Sequence, residues 1–341
     1  RRQRQMCIRD RNLGLFLVSK ILAIAKSFVA SPPRPYTVSV GKDIRLPSLR
    51  ALTASLILEL FIFFIVVILI IIFYLVIMDK LVEKINKGAH SLVYPYDILP
   101  QPGRMLKIDD GVYWVRMSLP FALDHINLWV LKDNDGWVIV DTGVASAEIK
   151  SNWRSCFSGD MNSKKVNKVI VTHLHPDHIG LAGWINKKFS APLCMSRSDY
   201  LMCRMLVSDT GREAPEEGIS LYRSAGFTKD QLDTYAERFG GFGSAISKLP
   251  DSYNRIKDYD IIKIGDYDWE VVVGSGHCPE HICLYNKKLK LFISGDQVLP
   301  KITSNVSVFP TEPNSNPLND WIDSCKYIKS RVDNDVLVLP S

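Results

Sequence analysis

Apolar and polar positions change their spacing several times along the chain, and each change predicts an element. Residues 111–117 (GVYWVRM), 126–133 (INLWVLKD) and 136–143 (GWVIVDTG) are short runs dominated by Val, Ile, Trp and Tyr. Such runs predict strands, with Asn134, Asp135 and Gly136 supplying the turn. Further apolar runs predict strands at 168–173, 191–196, 259–265, 269–275, 281–286, 290–296 and 336–340. Helical spacing marks 145–157, 179–189 and 318–331. Residues 197–250 change character to Met, Tyr, Arg, Glu and Lys, broken by Gly240, Gly241 and Gly243. They predict a mostly helical insertion. Strands followed by helix, twice over, predict an α/β (α+β) fold with two β-layers between outer helices.

The first 78 residues follow another pattern. Residues 60–78 run without a charge, and at ~1.5 Å per residue such a run matches a ~30 Å hydrocarbon layer. A transmembrane helix over 56–78 would leave the basic segment before it cytoplasmic and anchor the chain in a membrane. Against this, residues 6–11 (MCIRDR) resemble the translation of a transposon end used in sequencing libraries, so residues 1–11 read as a scar. The Ile/Leu/Phe/Lys-rich text of 12–78 resembles translated AT-rich non-coding DNA, and Met78, Asp79 and Lys80 open a plausible amphipathic start. The expectation is a cytoplasmic protein whose working domain is 79–341, membrane-anchored only if residues 1–78 are genuine. A short helix and an extended lead-in are expected over 79–100.

The net charge of +6 conceals an asymmetry. Residues 1–50 hold eleven Lys/Arg against two Asp/Glu, a balance of +9 that leaves −3 for the other 291 residues. A nucleic-acid enzyme would show a basic face on its working domain, so no nucleic-acid partner is expected. Seven scattered cysteines with no CxxC pair argue against a disulfide framework.

The chemistry concentrates in Thr172-His173-Leu174-His175-Pro176-Asp177-His178. Three imidazoles and a carboxylate fall directly after an apolar strand, and alternate residues of a strand end share a direction. His173 and His175 can therefore aim together, with Asp177 and His178 aimed elsewhere. The chain has only seven histidines, and five of them lie in this stretch and in Gly276-His277-Cys278-Pro279-Glu280-His281. Ser294-Gly295-Asp296 and Val140-Asp141-Thr142-Gly143 are two more strand-then-turn segments with a carboxylate. Imidazole nitrogen and carboxylate oxygen are the donors that zinc and similar ions take.

THLHPDH resembles the HxHxDH signature of the metallo-β-lactamase superfamily, including its glyoxalase II-like hydrolases. The resemblance covers roughly 105–341, with VDTG, GHCPEH and FISGDQVLP similar to the family's other motifs in order. It implies a four-layer αββα sandwich and two divalent metal ions, zinc foremost, with iron or manganese as alternatives. Carried over residue by residue, His173, His175 and His277 would bind one metal and Asp177 and His178 the second. Asp296 would bridge, and Asp141 and His281 would support the ligands from behind. Cys278 and Glu280 stand where the family usually has Thr and Gly, which implies a local change of shape. The family carries a last histidine after a terminal strand, so the text ending at Ser341 is expected to be truncated just before that ligand.

The implied activity is hydrolysis of an ester, a thioester of the hydroxyacyl-glutathione type or a related small acyl substrate by a metal-bridging hydroxide, with Asp177 orienting the nucleophile and moving its proton. Met202, Met205, Tyr200, Tyr222 and Phe227 of the insertion, and His125 and Asn127, are candidates to face the site. A phosphodiesterase or nuclease of the same fold and a non-catalytic metal-binding module remain the alternatives.

Overall fold

The computed structural model describes residues 67–68, 92–120 and 123–341. The expectations for residues 1–11, for the lead-in helix after residue 79 and for nearly all of 56–78 fall outside them. Among the described residues no helix is long and apolar enough to cross a membrane.

Within the unit Ser91–Ser341, seven strands form one sheet in chain order. They are β1 (Leu106–Asp109), β2 (Val112–Ser118), β3 (His125–Asp133), β4 (Gly136–Val140), β5 (Val166–Ile170), β6 (Leu193–Met195) and β7 (Asn254–Arg255). Pairing is antiparallel from β1 to β4 and parallel from β4 to β7. The second sheet has the order β12-β11-β10-β9-β8, built from β8 (Ile261–Ile264), β9 (Tyr267–Gly274), β10 (His281–Asn286), β11 (Leu291–Gly295) and β12 (Leu337–Pro340). The helices are α1 (Ala147–Ser158), α2 (Pro176–Ile179), α3 (Ala182–Phe189), α4 (Arg197–Ser208), α5 (Glu216–Ser224), α6 (Lys229–Arg238) and α7 (Pro317–Arg331).

The period-two alternation of each strand decides the layers. All five residues of β4 are buried, as a strand covered on both faces requires. Val138 and Val140 join Trp129, Leu131 and Ile170 of their own sheet against Trp269, Val271, Ile282 and Ile293 of the other. Ile139, between them in sequence, belongs to the opposite face, with Ile149, Trp153 and Phe157 of α1 and Ile185 of α3. On the outer face of the second sheet, Val272, Cys283 and Phe292 pack with Ile328 of α7. Three cores between four layers make the αββα sandwich that the sequence implies.

The structure departs from the sequence reading in three places. β1 and β7 were not expected. The single helix expected over 179–189 is interrupted: Leu181 N–H donates to Thr142 Oγ1 at 3.0 Å, and Thr142 N and Oγ1 donate to His178 O at 2.8 and 2.7 Å. Thr142 thus takes over hydrogen bonds that a continuous helix would make, and fixes the α2 turn beside the Asp141 loop. The insertion is α4, α5, α6 and a 3-10 turn, Phe242–Ala245, as its composition suggested.

Candidate metal centre

Each segment with a candidate ligand leaves the end of a strand. The 171–178 loop follows β5, the 275–280 loop follows β9, and Asp296 follows β11. These ends bring three ring nitrogens together. His173 Nε2 lies 2.8 Å from His175 Nδ1, His175 Nδ1 lies 3.0 Å from His277 Nε2, and the two Nε2 atoms lie 3.1 Å apart.

The far side of each ring shows what these nitrogens are. His277 Nδ1–H donates to Asn305 O at 2.7 Å, which leaves Nε2 a bare lone pair. Thr172 Oγ1–H donates to Asp141 Oδ2 at 2.7 Å, so its oxygen accepts from His173 Nδ1 at 3.0 Å. His173 Nε2 is then bare as well. Two lone pairs at hydrogen-bond distance with no proton between them repel unless a cation sits among them. A tetrahedral ion with nitrogens at about 2.0–2.1 Å spaces them about 3.3–3.4 Å apart, close to the triangle found here. His173, His175 and His277 are one of the clusters able to hold a metal, and His173, His178 and Asp296 are another.

His178 is oriented in the same way. Its Nδ1 donates to Asp141 Oδ2 at 2.8 Å, and Asp141 also accepts from Thr172 N at 2.7 Å. Asp141 has φ of 60°, a left-handed conformation that Asp tolerates better than most residues. His178 Nε2 is buried with no hydrogen-bond partner, yet it faces Asp296 Oδ1 at 3.5 Å and Asp177 Oδ2 at 3.7 Å. An orphaned buried nitrogen between two carboxylates is the donor set of an oxygen- and nitrogen-binding cation. Asp296 Oδ2 also lies 3.5 Å from His277 Nε2, so this carboxylate spans the two clusters. His281 is fully buried and stacks on His173 with centroids 4.7 Å apart. Its Nε2 accepts from Asp296 N at 3.1 Å and so places the Asp296 turn. Gly295 is required there, because a Cβ would run into the His281 ring.

Electrostatics separates the two clusters. Burial, then the neighbouring His178 and His175, hold His173 well below the ordinary histidine range. Burial and His277 take His175 down to about 3, and burial lowers His277. These three rings are neutral donors at neutral pH. Burial opposes charge on His178 too, but Asp296, Asp141 and Asp177 outweigh it and hold its proton well above the ordinary range. Burial likewise opposes the Asp296 carboxylate, and His178 beside it keeps it ionised below the usual range.

One organising residue escaped the sequence reading. Asp199 of α4 is fully buried and accepts from Leu174 N at 3.0 Å and Glu280 N at 2.8 Å. Its carboxylate joins the loop of His173 and His175 to the loop of His277. Cys278 is hydrogen-bonded to it, and Glu280 Oε2 accepts from Ser198 N in the first turn of α4 at 2.7 Å. The two departures at Cys278 and Glu280 therefore tie the insertion to the histidine loops. Asn305 and Phe309 come from a stretch between β11 and α7 that carries no periodic signal.

A cavity of about 460 Å³ opens against His175 and His277 and reaches into the insertion. Met202, Met205 and Tyr222 line it as expected. Tyr200 does not: it is buried, stacks on Tyr253 at 3.9 Å and donates to Pro250 O at 2.9 Å. Phe227 stacks behind Tyr222 at 4.8 Å without lining the cavity. His125 pairs with Asp124, and Asn127 accepts from Trp114 Nε1 at 2.9 Å, so neither joins the centre.

Comparison with known proteins places the fold. A family model described as the metallo-beta-lactamase superfamily matches residues 122–338. A crystal structure of a beta-lactamase domain protein from Burkholderia ambifaria is 36% identical with a TM-score of 0.65, over 73% of this chain and 72% of that one. An uncharacterized protein of Aquifex aeolicus is 28% identical over 52% of this chain and 68% of its own length. The human acyl-coenzyme A thioesterase MBLAC2 is 21% identical over 68% of this chain and 78% of its own.

Proposed function

Because the chain belongs to the metallo-beta-lactamase superfamily, whose members are in general hydrolytic, we propose that it is a dinuclear metal-dependent hydrolase of ester or thioester bonds in small acyl substrates. His173, His175 and His277 would hold one ion. His178 and Asp177 would hold the second, with Asp296 placed to serve both. The observation that carries this reading is the pair of bare Nε2 atoms of His173 and His277, 3.1 Å apart, beside the orphaned His178 Nε2.

Divalent ions, zinc foremost, would supply a water acidic enough to attack at neutral pH and an electrophile for the carbonyl oxygen. The chain supplies everything else. Asp177, whose carboxyl lies between solvent and His178 with about a quarter of the side chain exposed, takes the proton of the attacking water and returns it to the leaving group. Asp141 holds His178 in the tautomer whose Nε2 is free. The apolar cavity beside His175 keeps bulk water from the acyl side of the substrate. That cavity and the −3 balance of residues 51–341 favour a small acyl substrate over a nucleic acid, and the resemblance to a thioesterase favours a thioester.

The test is a panel of thioesters, lactones, β-lactams and phosphodiesters, assayed before and after chelation with metal content measured in parallel. We expect two ions per chain, thioester or ester turnover, and loss of both on chelation. Turnover that survives metal removal, or a preference for phosphodiesters, overturns the reading.

A further inference from the structure

The apolar residues of α5 and α6 are not used as a core. Gly218 is the one buried residue of α5, and α6 has none. Tyr222, Tyr235 and Phe239 are instead partly exposed, and all three line the cavity. A helical hairpin that served only to stabilise itself would collapse these rings together and bury them. Here they touch one another edge-on, Tyr235 at 4.7 Å from Tyr222 and 6.0 Å from Phe239, yet stay partly exposed as one wall of about 460 Å³ of space that is continuous with His175 and His277. A preformed apolar cleft beside a reactive centre is a ligand site.

Resting on the acyl-hydrolase reading above, we infer that this cavity binds the substrate's acyl group as an unbranched saturated chain of about 8–12 carbons, below the ceiling of about 15 groups that 460 Å³ holds at about 30 Å³ each, the remainder being the thioester group and water beside His175 and His277. The walls suit a flexible chain. Met202 and Met205 of α4 contribute unbranched, adaptable thioethers. The lining carries two carboxylates, Asp209, which pairs with Arg212, and Glu217, and no Lys or Arg, so it offers no cation for a second carboxylate or phosphate. Tyr235 sets the reach of the cavity within the hairpin. Its ring is wedged between Tyr222 at 4.7 Å and Phe239 at 6.0 Å, and its hydroxyl presses on the bare Cα of Gly218.

The experiment uses the metal-loaded full chain and straight-chain acyl thioesters of one thiol, from two to sixteen carbons. We expect kcat/KM to rise by about two- to four-fold per added methylene up to roughly ten carbons and then to stop rising or fall. Met202→Trp, which fills the cavity, shifts the optimum to shorter chains, and Tyr235→Ala, which enlarges it, shifts the optimum to longer ones. Opposite shifts cannot both come from damaged folding. A flat profile, a preference for aryl over alkyl thioesters, or shifts of the same sign in both variants overturns the inference. Calorimetry with free decanoate and butyrate separates it from the acyl-hydrolase reading. Decanoate binding at least ten-fold tighter than butyrate, and weakened by Met202→Trp, supports the cavity assignment even if no thioester is cleaved. Equal binding of the two acids overturns it even if thioesters are cleaved.

Discussion

At the scale of single residues, the centre depends on groups that fix which nitrogen of each ring is bare. His175 contributes Nδ1 directly to the triangle, at 2.8 and 3.0 Å from its two neighbours. His175→Ala is expected to lose most bound metal and nearly all hydrolysis while the chain still folds, which metal analysis and circular dichroism measure together. Asp141 acts one shell further out, accepting from His178 Nδ1 and both donors of Thr172. Removing such a partner costs about 10–100-fold in metal affinity, so Asp141→Asn should weaken metal binding by that factor without abolishing it. An unchanged affinity in a metal titration would show that the imidazole is held by other means. Asp199 is different in kind. Asp199→Ala strands the buried Leu174 N–H, at about 1–3 kcal/mol, and the partly buried Glu280 N–H at less. It should lower both the denaturation midpoint and metal retention, whereas Cys278→Ser, which keeps a small hydrogen-bonding group beside Asp199, should change either one little.

At the scale of elements, the chain's glycines show where two segments must touch. Gly183 lies inside α3, where exchange for Ala would ordinarily stabilise a helix by about 1 kcal/mol. Here the added Cβ would run into the carbonyl of Lys248, and forcing an atom into such a contact costs about 1–3 kcal/mol. The contact wins, so Gly183→Ala should lower stability, and a rise in the denaturant midpoint would contradict the packing described. Legibility followed the same division between local and distant causes. The strands that lead to the ligands were legible because each of β4, β5, β9, β10 and β11 contains a run of apolar residues, and the histidines were legible because three fall within six positions. β7 was not, because two exposed residues carry no alternation. The break after Ile179 was not, because its cause is Thr142, 39 residues from Leu181. Asp199 was not, because its two partners lie 25 residues back and 81 residues on. Tyr200 and Phe227 were misplaced because composition marks an aromatic as apolar without telling which face of its helix it occupies.

At the scale of the whole fold, two sheets deliver two clusters that share an edge but not an electrostatic environment. The first sheet ends in His173, His175 and His178, and the second brings His277 and Asp296 to meet them. Burial among other imidazoles leaves His173, His175 and His277 below the ordinary histidine range, so no proton competes for their nitrogens near neutral pH. Three carboxylates around His178 hold its proton well above that range, and a cation must displace this proton to bind. Where a ligand must shed a proton, apparent metal affinity falls about ten-fold for each unit of falling pH; where the ligand is already neutral it does not. The sign is therefore opposite to what the acidic surroundings of His178 alone would suggest, since the same carboxylates that attract a metal also attract its competitor. With two ions bound as proposed, titration with zinc at pH 8, 7 and 6 should show one affinity that holds nearly constant and a second that drops about ten-fold per unit. Asp141→Asn removes one of the three carboxylates and should flatten that second slope even as it weakens binding. Two affinities that fall in parallel with pH would mean that the clusters titrate as one unit, and would remove the electrostatic division between them.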